Sequence, residues 1–273
     1  MIFKIKRVVI IIISMVLASF HVNAQTYSVI HVKGKLINKE SGKEISRGDK
    51  IDEESEIIFD SSDAMAAVIS SERGRFILKP DLNNDSNKTS ELVGFVKNMI
   101  FPAQGGLSTR GGAVNTLFDL KNYLGSRFLI LGDRNLISIN TITLPMDDDN
   151  FFYLTYDYKD EKINKRLRSS VDSLIFDWRE IYTIDGNEIE FNRENQVILF
   201  YYNQLEKKST QVTSFDLIVP NQEDIYKEFF VCKENSTDEK SLMVTFHAHI
   251  REFYGGIAFS DLKNWLIQFD QNH

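Results

Sequence analysis

Hydrophobic and polar residues alternate along most of this chain, and the period of two residues is typical of β-strands with one buried face. The alternation is clear over residues 27–79, where polar turns separate roughly five or six short apolar stretches. It resumes at Phe128 and continues to Val219 through a series of longer strands. Asp185-Gly186 lies between two of these strands and is a favoured two-residue hairpin turn. The pattern therefore predicts two strand-rich regions.

The spacing changes to a helical period near the carboxyl end, where two apolar stripes follow one another. The stripes consist of Leu242, Phe246, Ile250 and Phe253, and of Leu262, Trp265, Leu266 and Phe269. Ser236 with Glu239 three residues later has the spacing of a capping box, and Gly255 suits the end of the first helix. Ser260 suits the start of the second. These features predict two C-terminal helices that pack on the sheet, and a shorter helix is predicted before Gly125.

The two patterns together predict an α+β fold that is predominantly antiparallel β. We expect residues 25–79 to form a small barrel-like β module of the SH3 type. We expect residues 116–273 to form a larger β-rich domain that includes the two C-terminal helices. Residues 80–115 are rich in polar residues and glycine, which is typical of a linker between modules.

Residues 1–24 have the composition of a secretory signal peptide. The basic residues of this segment are Lys4, Lys6 and Arg7. The apolar run from Val8 to Phe20 is about 13 residues long, which is shorter than a membrane span requires. Val22 and Ala24 match the small-residue pattern of a cleavage site. We therefore predict an exported protein that begins at Gln25, has no transmembrane segment after cleavage, and is located in the periplasm or at the cell surface or is secreted.

Charge and cysteine content narrow the partners and the chemistry. Without the first 24 residues the chain has 29 basic and 39 acidic residues, a formal charge of −10. Such an acidic chain is repelled by nucleic acid, so we exclude nucleic acid as a partner. Cys232 is the single cysteine, so no intramolecular disulfide is possible and the core alone must stabilise the fold.

The N-terminal module resembles a group of exported bacterial proteins. The stretches VKGKL, GKEISRGDKIDEESEIIF and AMAAVISSERGRFIL resemble modules at the start of many uncharacterised exported proteins of Gram-negative bacteria. The turn at Gly48-Asp49, followed by strand pairs, is similar to that of FecR-like β domains. The resemblance covers roughly a fifth of the chain and implies a periplasmic or surface module that binds or supports a partner. It implies no catalytic residue.

Two glycine pairs at residues 105–112 form the most conspicuous motif of the linker. Gly106 and Gly111 have the spacing of a phosphate-binding P-loop, but Gly112 and Ala113 stand where that loop needs Lys and Ser or Thr. The glycine patterns of dinucleotide-binding folds and of nucleophile elbows are also absent. We therefore interpret this stretch as a hinge and predict no cofactor.

His247 and His249 are the candidate metal ligands, with His31 as a third. On a strand both imidazoles would face the same way, whereas on a helix they lie about 200° apart. The apolar stripe favours a helix, with His249 on the stripe and His247 near solvent. Cys232 is the candidate nucleophile, but the apolar residues before it favour a buried thiol.

Tyrosines dominate the densest aromatic cluster of the chain. The candidate binding residues are Tyr153, Tyr156, Tyr158, Tyr201 and Tyr202. Half of the side chains of an alternating strand face outwards, so some of these rings could line a groove for a glycan or a peptide. The alternative is an ordinary core with half-exposed tyrosines at its edge.

Two hypotheses follow. The first is a non-enzymatic envelope protein that binds a partner protein, a glycan or cell-wall material. The second is an exported hydrolase that uses His247 and His249 with a metal, or Cys232 as a nucleophile. The first is favoured because none of the catalytic motifs considered is complete.

Overall fold

The structure is a computed structural model. It describes residues 25–80, 92–96, 100–102 and 112–272. The chain divides into two compact units, Met1–Pro102 and Ala103–His273, which we call the N-terminal and C-terminal units. The predicted signal peptide and most of the predicted hinge lie outside the described residues, so both stay predictions.

Eight strands are described in the N-terminal unit. They are β1 Thr26–Lys33, β2 Leu36–Asn38, β3 Lys50–Asp52, β4 Glu56–Phe59, β5 Met65–Ser70, β6 Gly74–Leu78, β7 Leu92–Phe95 and β8 Ile100–Pro102. One antiparallel sheet has the order β3-β1-β5-β6-β8, and a second has the order β2-β4-β7. Both sheets are open over the described residues, rather than closed into a barrel. The stretch predicted to be a linker contributes β7 and β8 to these sheets.

A β-bulge interrupts the alternation that the sequence of β1 predicts. Val29 pairs with Val68 and His31 pairs with Ala67, so one extra residue lies between them. Val29 and Ile30 beside this bulge are both fully buried. Bulged strands bend, and the bend lets a small sheet bury apolar side chains on both sides.

Ten strands are described in the C-terminal unit. They are β9 Arg127–Leu129, β10 Arg134–Ser138, β11 Asn150–Tyr158, β12 Glu161–Arg166, β13 Arg168–Ser169, β14 Ser173–Asp177, β15 Thr183–Ile184, β16 Asn187–Glu188, β17 Glu194–Asn203 and β18 Lys208–Ile218. The largest sheet has the order β12-β11-β17-β18-β9, in which only the β18–β9 pair is parallel. Smaller sheets are β10-β14-β13 and β15-β16. The predicted α+β class with mainly antiparallel strands is confirmed.

Two hairpin turns have left-handed backbone at both central residues, and the one at Asp185-Gly186 is the turn predicted from the sequence. Asp185 and Gly186 have φ values of 49° and 81° between β15 and β16. Lys159 and Asp160 have φ values of 49° and 65° between β11 and β12. Two successive left-handed residues match the twist of the flanking strands, which is why such turns favour tight hairpins.

Five helices are described in the C-terminal unit. They are α1 Leu117–Leu124, α2 Trp178–Ile181, α3 Gln222–Glu234, α4 Glu239–Phe253 and α5 Phe259–Asn272. The predicted short helix is α1, and Thr116 and Asp119 form its capping box. The two predicted C-terminal helices are α4 and α5, but α4 is capped by Asp238 rather than Ser236. The helix α3 was not predicted from the sequence.

The end of α4 is fixed against the largest sheet at β9. Arg127 donates a hydrogen bond of 2.7 Å from Nη1 to the Phe253 carbonyl oxygen, and Phe128 forms a bridge with Gly256. Gly255 has a φ of 113°, and a Cβ at that position would lie 2.8 Å from the Arg127 carbonyl oxygen. Only glycine allows this close approach between the helix end and the strand.

Candidate functional site

The pleat of β11 and β17 divides the predicted tyrosine cluster between the two faces of the largest sheet. Tyr156 and Tyr201 point into the core and are 4% and 9% exposed, and Tyr158 packs against the same core. Tyr153 and Tyr202 lie on the opposite face, where they are partly exposed. The five tyrosines therefore do not form one surface, because neighbouring residues of a strand face opposite ways.

The core-facing tyrosines bind backbone oxygens. The Tyr156 hydroxyl donates to the Ile181 carbonyl oxygen at 2.6 Å, and the Tyr201 hydroxyl donates to the Pro145 carbonyl oxygen at 2.9 Å. Burial raises the pKa of Tyr156 to about 12. Burial also raises the pKa of Tyr201, and the nearby Asp147 carboxylate raises that pKa further. Both phenols therefore stay neutral near pH 7 and hold the sheet to neighbouring loops.

Four rings form a continuous surface on the opposite side of the sheet, which we call the ring face: Phe151, Tyr153, Phe200 and Tyr202. Phe151 is directly opposite Tyr202, and Tyr153 is directly opposite Phe200. The ring centroids of these two pairs are 5.0 and 5.1 Å apart, and Tyr153 and Phe200 are stacked with an interplanar angle of 10°. All four side chains are half-buried, so each ring keeps part of its surface open.

Polar side chains border the ring face on both sides. Arg166 of β12 is opposite Tyr153, and its guanidinium carbon lies 4.3 Å from the centroid of Phe151. Gln211 and Ser209 of β18 are opposite Phe200 and Tyr202 and are exposed. The result is a row of rings between one cationic edge and one amide and hydroxyl edge.

His247 and His249 both lie on α4, as predicted, and they diverge. His247 Nε2 donates to the Ile257 carbonyl oxygen at 2.9 Å, and His249 Nε2 lies 2.8 Å from Oε2 of Glu228. The expectation that His247 lies near solvent is wrong, because it is only 1% exposed. Burial lowers the pKa of His247, and the charge of nearby Arg251 lowers it further. The hydrogen bond to the Ile257 carbonyl oxygen raises this pKa, but by less than burial lowers it.

Glu228 joins α3 to α4 inside the helical part of the C-terminal unit. Besides its contact with His249, it accepts a hydrogen bond of 2.7 Å at Oε1 from the Tyr254 hydroxyl. Glu228 and His249 are both buried. Glu228 was not predicted from the sequence, although one signal was present: it lies between Ile225 and Cys232 on the buried stripe of α3.

The other candidate residues of the hydrolase hypothesis lie on other elements of the fold. Cys232 is fully buried in α3, as predicted, so its thiol is not accessible to a substrate. His31 lies in β1 of the N-terminal unit. Over the described part of the chain, no three His, Cys, Asp or Glu side chains are grouped so that they could hold a metal ion.

Two adjoining clefts lie where the β9–β10 loop, α2, the start of α3 and α5 come together. Their volumes are about 550 and 490 Å³, and they share Gly132, Asp133, Trp265 and Gln268. We call the larger one the Arg134 cleft and the smaller one the Trp178 cleft, because each of these residues lines only that cleft. Volumes of this size are typical of small-ligand sites.

The indole rings at the clefts are fixed by hydrogen bonds. Trp178 Nε1 donates to the Gly132 carbonyl oxygen at 3.1 Å, and Trp265 Nε1 donates to Oε1 of Gln222 at 2.9 Å. These are the two tryptophans of the chain. In the sequence Trp265 belongs to an apolar stripe, and no local pattern links it to Trp178.

Comparison with models of known protein families finds no match for this chain. Comparison with curated protein sequences also finds no significantly similar protein. Among the described helices, none combines the length and the apolar character needed to cross a membrane.

Proposed function

We propose that this protein is an exported, non-enzymatic envelope protein that binds a glycan through the ring face. Export rests on the sequence pattern of residues 1–24. Glycan binding rests on one observation, the row of four half-buried rings on a sheet face that is bordered by polar side chains.

A sugar ring has an apolar face of C–H groups and an edge of hydroxyl groups. The half-buried rings of Tyr153 and Phe200 leave part of their apolar surface open to these C–H groups. Arg166 on one side and Gln211 on the other offer hydrogen-bond donors and acceptors to the hydroxyl groups of the sugar. Because the sheet face is extended, successive sugar units of a chain could lie along it.

The hydrolase alternative has weaker support. A shared metal would need the imidazoles of His247 and His249 to converge, but their Nε2 atoms bind Ile257 and Glu228. A nucleophilic thiol would need access to substrate, and Cys232 is fully buried.

The test is binding of the mature protein to purified envelope polysaccharide, with Tyr153→Ala and Tyr202→Ala as ring-face variants. Loss of one stacked ring is expected to weaken binding about tenfold, which corresponds to about 1.4 kcal/mol. Binding is measured by co-sedimentation with insoluble polysaccharide over a concentration series.

Phe118→Ala is the matched control, because Phe118 is an aromatic residue of α1 that is 68% exposed and lies outside the ring face. It should bind as the wild type does. Equal losses in the control and in the ring-face variants would mean that the ring face is not the glycan-binding surface.

A further inference from the structure

The Arg134 cleft contains two charges of opposite sign, and neither forms an ion pair with any of the described residues. Among the described residues, Arg134 has no ion-pair partner. Asp261, in the first turn of α5, accepts a hydrogen bond of 3.3 Å from the Ser260 hydroxyl and likewise has no ion-pair partner in the described part of the chain. Both side chains line the same cleft of about 550 Å³.

The remaining charged groups of this cleft are already engaged. Asp133 and Arg179 form an ion pair of 2.9 Å with each other. Asp177 accepts hydrogen bonds from the first backbone N–H groups of α2 and lies 3.5 Å from Arg168. The charges available to a ligand are therefore one cation and one anion.

An apolar wall and amide groups complete the cleft. Trp265 forms part of the wall and is only 5% exposed, so its ring is held firmly in place. Asn264 of the same helix is exposed and lines the cleft, and it offers both a donor and an acceptor.

We propose that the Arg134 cleft binds a short peptide with free ends. The ligand carboxylate would bind the Arg134 guanidinium, and the ligand ammonium would bind the Asp261 carboxylate. An apolar side chain of the peptide would contact Trp265, and Asn264 would bind its backbone amide. A neutral sugar would form an ion pair with neither group, which is why this cleft suits a zwitterion better than a glycan.

The test uses tryptophan fluorescence of the full mature chain in the Trp178→Phe variant, where Trp265 is the remaining tryptophan. The probe is the dipeptide L-alanyl-L-leucine, compared with its N-acetylated form and its C-terminal amide. We expect a saturable change with the dipeptide, and binding of each capped form at least about tenfold weaker.

Charge variants assign each end of the peptide. In Arg134→Gln the C-terminal amide should bind as well as the free dipeptide does, and in Asp261→Asn the N-acetylated form should do so. Lys263→Gln is the matched control, because Lys263 is an exposed residue of α5 that does not line the cleft. It should retain the preference for free ends.

Three results would overturn the proposal: no saturable response to the dipeptide, equal binding of the free and capped forms, or a response to maltotriose instead. Circular dichroism establishes that each variant is folded. The ring face contains no tryptophan, so Tyr153→Ala should leave the dipeptide titration unchanged. Failure of the peptide-binding proposal is therefore distinguishable from failure of the glycan-binding proposal.

Discussion

Replacement of Glu228 is expected to be among the most damaging single changes in the C-terminal unit. Glu228 is buried on α3, and its two oxygens contact His249 Nε2 at 2.8 Å and the Tyr254 hydroxyl at 2.7 Å. In Glu228→Ala the side-chain acceptor is lost, while the imidazole and the hydroxyl that faced it stay at the helix interface. Buried polar groups that lose an acceptor bear their full desolvation cost.

The two contacts set the size of the effect. A buried donor that loses its acceptor costs about 1–3 kcal/mol, and Glu228 contacts two such groups, on His249 and Tyr254. We therefore expect Glu228→Ala to lower the free energy of unfolding of the C-terminal unit by about 3–5 kcal/mol. Glu228→Gln keeps one carbonyl oxygen and should lose about half of that. For a domain of this size the larger loss lowers Tm by roughly 6–20 °C.

The assay is urea unfolding followed by tryptophan fluorescence. Both tryptophans lie in the C-terminal unit, so the signal reports the unfolding of that unit. Glu234→Ala is the matched control, because Glu234 is an exposed residue of the same helix, and it should change stability by no more than about 0.5 kcal/mol. A loss below about 1 kcal/mol in Glu228→Ala would refute the view that this buried contact stabilises the packing of α3 on α4.

Two further predictions concern the backbone and the amino terminus. Gly255→Ala should destabilise the C-terminal unit by about 2–4 kcal/mol, because the new Cβ meets the Arg127 carbonyl oxygen in a left-handed conformation. Gly186→Ala is its control, since Gly186 also has a positive φ but nothing lies within 4 Å of the added Cβ, and both are measured by urea unfolding. Export predicts that the native protein begins at Gln25, which mass spectrometry of cell fractions would detect; an intact Met1 in the cytosol would contradict it.

Local signals in the sequence were enough to predict the fold class. Alternation predicted the strands between Phe128 and Val219, and the turn at Asp185-Gly186 predicted a hairpin between residues that are close in sequence. The stripes of α4 and α5 were also readable, since each depends only on residues within one helix. The start of α4 was misplaced by about two residues, because Asp238 competed successfully with Ser236 as the cap.

The helix α3 was missed for a physical reason. Its buried stripe contains a carboxylate, so Glu228 interrupts the apolar pattern on which the prediction depended. That carboxylate is tolerated only because Tyr254 and His249 arrive from elsewhere in the chain to bind it. A prediction that depends on local hydrophobicity places a glutamate such as Glu228 on the exposed side of a helix.

The same limit applies to the binding surfaces. Alternation within β11 places Tyr153 and Tyr156 on opposite faces of the sheet. The partner of each ring, however, depends on the register between β11 and β17, whose paired residues are more than forty positions apart in the sequence. The Arg134 cleft is more demanding, because β10 supplies one of its charges and α5 supplies the other. Residues that come together only through long-range packing show no periodic pattern in the sequence. They can be recognised from the sequence only where one of them departs from the local pattern of its element, such as a charged residue on an apolar stripe. Glu228 does depart from such a pattern, whereas Arg134 and Asp261 are ordinary surface charges until the fold places them in one cleft.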